Sequence, residues 1–191
     1  MNKLKKTSFT YTPLFCEENI WKFIESIKSN SNIKPIDVLF LINENNTIAL
    51  FNQLKSVDNQ PVIWDYHVIL SAHYNNKVVI YDFDSQSPFP CDINSYFNLT
   101  FRPDIELPQT YQTFLKPIAA DLFFRDFTSS RDHMIGIIPD SEFPEYDIIA
   151  PGNTQSTLPL SLCREYKVSD PDFSILTPKA YLGYMSPGAK L

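Results

Sequence analysis

The chain has 191 residues, enough for one well-packed core and only marginally for two, so a single domain over residues 1–191 is expected. Apolar residues make up 43% and aromatic residues 14%, including 15 Phe and 10 Tyr, which excludes a disordered chain. The formal charge of −6 argues against nucleic acid as the main partner, because a phosphate backbone needs concentrated positive surface, and it suits a cationic ligand instead.

Only 4 Gly stand against 15 Pro, so stiff irregular connections are expected and glycine-based phosphate cradles are not. Neither GxGxxG nor GxxxxGK[ST] occurs. The basic cluster Lys3, Lys5, Lys6 runs into Thr7 and Ser8 rather than an apolar segment, so it does not read as a signal peptide. No apolar run approaches the roughly 20 residues that span a bilayer, and no membrane association is expected. Cys16, Cys91 and Cys163 are odd in number and lack CxxC spacing, which fits free thiols in a reducing, cytoplasmic setting.

Taken in chain order, the first 10 residues read as irregular. Ile20, Phe23, Ile24 and Ile27 then recur at helical spacing, with acids at the start and Lys28 at the end, predicting a helix that begins at or just after Cys16. Unpaired N–H groups at that helix start are expected to lower the Cys16 thiol pKa. Val38–Ile42 and Ile48–Phe51, separated by the polar stretch 43–46, predict a hairpin. Val62–His73 predicts one long strand, and Lys77–Asp84 a second, joined by a turn at Tyr74-Asn75-Asn76-Lys77. Together these runs predict a four-stranded antiparallel meander.

Beyond residue 86, Pro88, Pro90, Pro103, Pro108 and Pro117 interrupt any long pattern. Tyr111–Leu115 and Asp121–Phe127 fit helix or strand equally. From Pro139 to Leu191, loops, one short helix and a frayed tail are expected, with an apolar island at Leu158–Leu162.

If the 74–77 turn is a two-residue hairpin, His67 lies opposite Asp84 while Asp82 lies opposite Ile69 on the same face. Either carboxylate then reaches the imidazole, and a one-residue slip would break both pairings. An imidazole oriented by a carboxylate and facing a helix-start thiol is the arrangement that thiol nucleophilic catalysis needs. Backbone N–H groups beside Cys16 would serve a developing oxyanion. Plainer readings exist for each residue. A cysteine is most often a small buried hydrophobe, and Cys91 and Cys163 are read so; His67 is equally a satisfied strand histidine. Trp64 and Tyr66 fit the core, and Glu17, Glu18 and Asp65 fit surface or helix-start acids. Three histidines without HxxxH or CxxC spacing give no zinc signature, so no metal is expected, and there is no GxSxG.

The residues also carry a family resemblance. Trp64-Asp65-Tyr66-His67-Val68 resembles the WDYHV signature of the eukaryotic-type protein N-terminal glutamine amidohydrolases. Phe15–Lys22 is similar to that family's CEEN(I/V)WK block, and Ile80–Asp84 with Pro88–Cys91 to its YDLD and PFPC block. Phe127–Met134 resembles its F-A-S-D-R-S-H-M segment, with Ser130 and Asp132 in the opposite order. The blocks lie in family order over about residues 11–134, while 135–191 diverge.

The resemblance implies an α+β, papain-like or transglutaminase-like fold, with the nucleophile at a helix N-terminus packed on an antiparallel sheet. It implies Cys16, His67 and Asp82 as a catalytic triad, and deamidation of the N-terminal Gln of proteins or peptides to Glu, through a thioester and without a cofactor. Selectivity for a chain terminus requires an acidic partner for the α-ammonium, for which Glu18 and Asp65 are the candidates. The implied setting is protein turnover ahead of arginylation, in a cytoplasmic and, in a eukaryote, also nuclear monomer. A thiol enzyme of changed specificity (an internal-Gln deamidase, a transglutaminase or a small protease) and a non-catalytic binder of chain termini are the alternatives.

Overall fold

The structure is a computed structural model that describes residues 5–152, 157–168 and 172–185. Lys3 and the expected tail after residue 185 lie outside the described residues.

The predicted helix is α1 (Cys16–Ile27), with Cys16 as its first residue and Lys28 closing it. Its Ile20, Phe23, Ile24 and Ile27 are buried, each contributing about 1.5–3 kcal/mol through removal from water. After it come β1 (Ile33–Ile42), β2 (Ile48–Leu50), β3 (Val62–Trp64), β4 (His67–Tyr74), β5 (Lys77–Tyr81) and β6 (Cys91–Asp92). The chain continues through α2 (Ile93–Phe101), β7 (Phe114–Ala119), α3 (Ala120–Asp126), β8 (Phe127–Thr128), β9 (Leu158–Pro159), α4 (Leu160–Arg164) and α5 (Pro178–Met185).

The main sheet has five strands in the order β6-β5-β4-β1-β7, all neighbours antiparallel. It is covered on both faces, which explains the unbroken apolar run of β1. Val38, Phe40 and Ile42 enter the core beneath α1, while Leu39 and Leu41 enter a second core with Ile93, Tyr96 and Phe97 of α2. The chain is therefore α+β around an antiparallel sheet, as expected.

Four strand expectations are corrected. The first two predicted strands form no hairpin, because β1 pairs with β4 and β7 while β2 pairs with β3 in a separate ribbon. The run 62–73 is two strands, interrupted at Asp65 and Tyr66, where the Asp65 carboxylate accepts the Tyr66 N–H at 3.0 Å in place of a ladder bond. The meander is thus replaced by direct β1–β4 pairing. Finally, β5 stops at Tyr81: the Asn75-Asn76 turn sets the predicted register from Tyr74↔Lys77, but the ladder ends at Leu70↔Tyr81. Both asparagines have positive φ, 50° and 61°, as a two-residue turn matching strand twist demands.

In the later chain, 114–119 is strand and 120–126 helix. Two helices, α4 and α5, stand where one was expected, and β8 and β9 pair in parallel. The unpredicted α2 had a signal. Asp92 caps it by accepting from the N–H groups of Asn94 and Ser95, and Ile93, Tyr96, Phe97 and Thr100 follow at helical spacing.

Candidate active site

His67 and Asp82 sit where the β4–β5 ladder ends. His67 opens β4, in phase with Ile69 on the α2 side of the sheet, and Asp82 is the first residue past β5. Freed from the ladder, the Asp82 side chain reaches the imidazole, with Nε2 and Oδ1 2.9 Å apart. The same Oδ1 accepts the Asp84 backbone N–H at 2.8 Å, and Oδ2 accepts the Tyr96 hydroxyl at 2.7 Å and the Gln53 amide at 3.5 Å. The backbone N–H and the amide donate, and the hydroxyl and imidazole can, which suits the carboxylate as an anion. The His67 ring stacks on Trp64 at 5.3 Å, which fixes its plane.

Burial favours neutral forms of both groups, yet each charge outweighs it in the other. Against burial, Asp82's charge and hydrogen bond, helped by Asp84, raise the His67 pKa above its ordinary value. Likewise His67 and Tyr96 hold Asp82 below the usual carboxylate range despite its burial. With Nε2 bonded to Asp82, His67 Nδ1 is buried and has no hydrogen-bond partner among the described residues. That nitrogen is the one available to exchange a proton with a nucleophile.

Cys16 heads α1, which packs against β4. The helix cap, Phe15, supplies no side-chain hydrogen bond, and Leu14 before it has φ 70°, a left-handed conformation that costs a non-glycine residue energy and turns the chain into the helix. Asn19 pins this entry through two 2.8 Å bonds with the Thr12 backbone. The Cys16 sulfur lies 3.5 Å from Glu17 Oε2, and the same oxygen accepts the Tyr66 hydroxyl at 3.0 Å. Through Glu17 and Tyr66, the thiol is tied to the residue adjoining His67.

Here the thiol expectation is corrected. Rather than being lowered, the Cys16 pKa is raised well above a free thiol's, by burial and then by Glu17, Asp84 and Asp65, which outweigh the helix N-terminus. Glu17 is fully buried, not a surface acid, and burial lifts its carboxyl to about 7.

A cavity of about 390 Å³ opens over Cys16, walled by Trp64, Tyr66, Asp84, His133 and Arg164, with Asp65 at its edge. Burial and the charge of Arg164 pull His133 below the ordinary histidine value. Glu18 is not in this wall. It too is wholly buried, gripped by Arg131 through two bonds of 2.7 and 3.0 Å. Asp65 is half-exposed and lies 3.7 Å from Arg164. Cys91 and Cys163 are buried free thiols.

Sequence reading missed Tyr96, Gln53 and Tyr11 as members of the site. Tyr96 follows from the α2 pattern, whereas nothing local to Gln53 or Tyr11 points there. Among the described residues, His67, Asp82 and Asp84 alone offer metal-ligand atoms within 4.8 Å of one another. Of these, His67 and Asp82 are already bonded to each other through Nε2 and Oδ1. No described helix is long and apolar enough to cross a membrane.

Fold and site together define an α+β protein with a buried histidine–carboxylate pair and a helix-start cysteine beside one cavity. The family model described as "N-terminal glutamine amidase" matches residues 11–172, and the chain belongs to that family. The match runs past residue 134, into the segment that diverges from the family's sequence blocks. Among similar curated proteins, the protein N-terminal glutamine amidohydrolase of Danio rerio is 39% identical over 127 residues, 65% of this chain and 63% of its own. Those of Homo sapiens and Drosophila ananassae are each 35% identical, over 65% of this chain and 62% and 63% of theirs. The alignments thus span a little under two thirds of these relatives.

Proposed function

We propose that this chain, acting as one catalytic domain, deamidates the N-terminal glutamine of proteins or peptides to glutamate with release of ammonia. The observation that carries the reading is the buried His67–Asp82 pair, whose Nδ1 has no partner among the described residues, at the end of the sheet on which the Cys16 helix packs. Family membership and the relatives' names support the substrate. We read the arrangement as papain-like and transglutaminase-like.

In this reading His67 Nδ1 takes the Cys16 proton and the thiolate attacks the side-chain carboxamide carbon. N–H groups at the start of α1 stabilise the oxyanion. The imidazolium gives its proton to the departing nitrogen, ammonia leaves, and a γ-glutamyl thioester remains. Water, deprotonated by His67, cleaves that thioester to the acid and restores the thiol. Asp82 holds the ring's tautomer and stabilises its charged form. The chemistry requires no cofactor, and a cytoplasmic monomer is the state we assign.

The test is ammonia release from a Gln-initiated tripeptide, with an Asn-initiated peptide as control. Cys16→Ala should abolish release while the far-UV spectrum and unfolding midpoint stay those of the parent. Undiminished release from Cys16→Ala would refute the mechanism. Equal rates on internal-Gln peptides would indicate changed specificity, and binding without turnover would indicate a reader of chain termini.

A further inference from the structure

Selectivity for a chain terminus leaves one requirement that Cys16, His67 and Asp82 do not meet: a cavity acid free to pair an α-ammonium. Four acids lie near the thiol or were expected to serve. Glu18 is saturated by Arg131 and lies outside the cavity wall. Glu17 is behind the wall, with one oxygen shared by Tyr66 and the thiol. Asp65 is exposed at the rim and faces Arg164, whose guanidinium lies 4.7 Å over the Tyr66 ring.

Asp84 differs from all three. It lines the cavity together with Cys16 yet is only 5% exposed. Its Oδ1 accepts the Tyr11 hydroxyl at 2.6 Å, and Tyr11 is itself stacked on Phe83. The other carboxylate oxygen accepts no hydrogen bond from a described residue and is not sealed from solvent, on a residue that lines the cavity. No described cation forms an ion pair with it. Lys6 also bears on it electrostatically, but its Nζ is committed to the carbonyls of Phe83 and Ser85, at 3.0 and 2.7 Å, and the His67 ring within 4.8 Å is already bonded to Asp82.

The backbone around this carboxylate is fixed from both sides. Its N–H is bound by Asp82, and its C=O accepts the Leu54 N–H at 2.6 Å. Asp84 is therefore held at its backbone and at one oxygen, with the other oxygen left for a ligand. The imidazole within 4.8 Å is engaged by Asp82, so a mostly buried Asp84 carboxylate gains from a cation of its own.

We propose that Asp84 is the binding residue for the α-ammonium of the substrate, and that its charge is what separates a free N-terminal Gln from an acylated or internal one. This inference rests on the function proposed above. Extended glutamine places its amine roughly 5 Å from its side-chain carboxamide carbon, a span that two groups lining one cavity can bracket. Asp84 also opposes ionisation of Cys16 in the empty site, so an arriving ammonium removes part of that opposition. Binding of the correct terminus and readiness of the thiol are then coupled.

The experiment is steady-state ammonia release from a Gln-initiated tripeptide and from its N-acetylated form, with the parent protein, Asp84→Asn and Asp84→Glu. Asp84→Asn should raise KM for the free-amine peptide about ten- to hundredfold, as expected for loss of a charge-assisted contact. It should shrink the preference for free over acetylated peptide by a similar factor, with kcat changed far less. Asp84→Glu should restore part of both. Iodoacetamide should alkylate Cys16 of Asp84→Asn faster at neutral pH than that of the parent, a readout that a merely structural role would not move in this direction. An active parent with KM and acetyl discrimination unaltered in Asp84→Asn overturns this inference alone. A parent that releases no ammonia overturns the proposed function and this inference with it.

Discussion

Replacing Asp82 by Asn tests the site most sharply, because the surrounding donors dictate how the amide must sit. Oδ1 receives both His67 Nε2 and the Asp84 backbone N–H. An amide NH2 placed there would face a backbone donor that cannot accept, so the Asn carbonyl takes that position. Its NH2 then points to the Tyr96 hydroxyl, which can turn and accept, and to Gln53, whose amide can flip to present its unpartnered Oε1. The variant keeps the proton on His67 Nε2 and loses only the charge. The expected loss is that of a charge-assisted hydrogen bond, about 1.5–3 kcal/mol, or roughly ten- to hundredfold in kcat. Reversal of the tautomer would instead cost on the order of 10⁴-fold. Steady-state ammonia release gives kcat, and NMR titration of His67 should show its pKa falling once the carboxylate is gone. The stability effect has a definite sign. A raised histidine pKa contributes stability that is complete below the unfolded value and is lost as pH rises through the folded one. Urea midpoints of parent and variant should therefore differ most near pH 6 and converge in alkali. A loss near 10⁴-fold would refute the amide orientation. A loss below threefold, or a larger loss of kcat in Asp84→Asn, would refute the role of Asp82.

Glu17→Gln should make the Cys16 thiol easier to ionise, seen as a shift to lower pH of its alkylation profile; an unchanged profile would refute the 3.5 Å coupling. Its stability prediction follows from a carboxyl raised from 4.5 to about 7: the parent loses stability relative to Glu17→Gln as pH rises between those two values, by up to about 3 kcal/mol, and the difference closes in acid. Arg131→Met should cost about 3–5 kcal/mol in urea unfolding, because it strands the buried Glu18 carboxylate. A cost under 1 kcal/mol would mean that Glu18 is solvated or neutral.

The sequence by itself determined whatever depends on near neighbours. The spacing of Ile20, Phe23, Ile24 and Ile27 specifies α1 and puts Cys16 at its start, since one helix face must be apolar to pack. Asn75 and Asn76 specify a tight turn and hence the β4–β5 register, because both tolerate positive φ. That register brought two aspartates within reach of His67, and the family blocks chose Asp82. Only the tertiary structure decided what depends on distant partners. The apolar run of β1 is equally suited to either neighbour, and long-range packing gives it β4 and β7 rather than β2. Glu17 and Glu18 read locally as solvated helix-start acids, but burial against Tyr66 and Arg131 makes one a near-neutral carboxyl beside the thiol and the other a locked ion pair. The thiol itself shows the division most clearly. Its place at a helix N-terminus and its neighbour Glu17 are written in the chain, while the burial that dominates its ionisation, and the added fields of Asp84 and Asp65, come only with the tertiary fold.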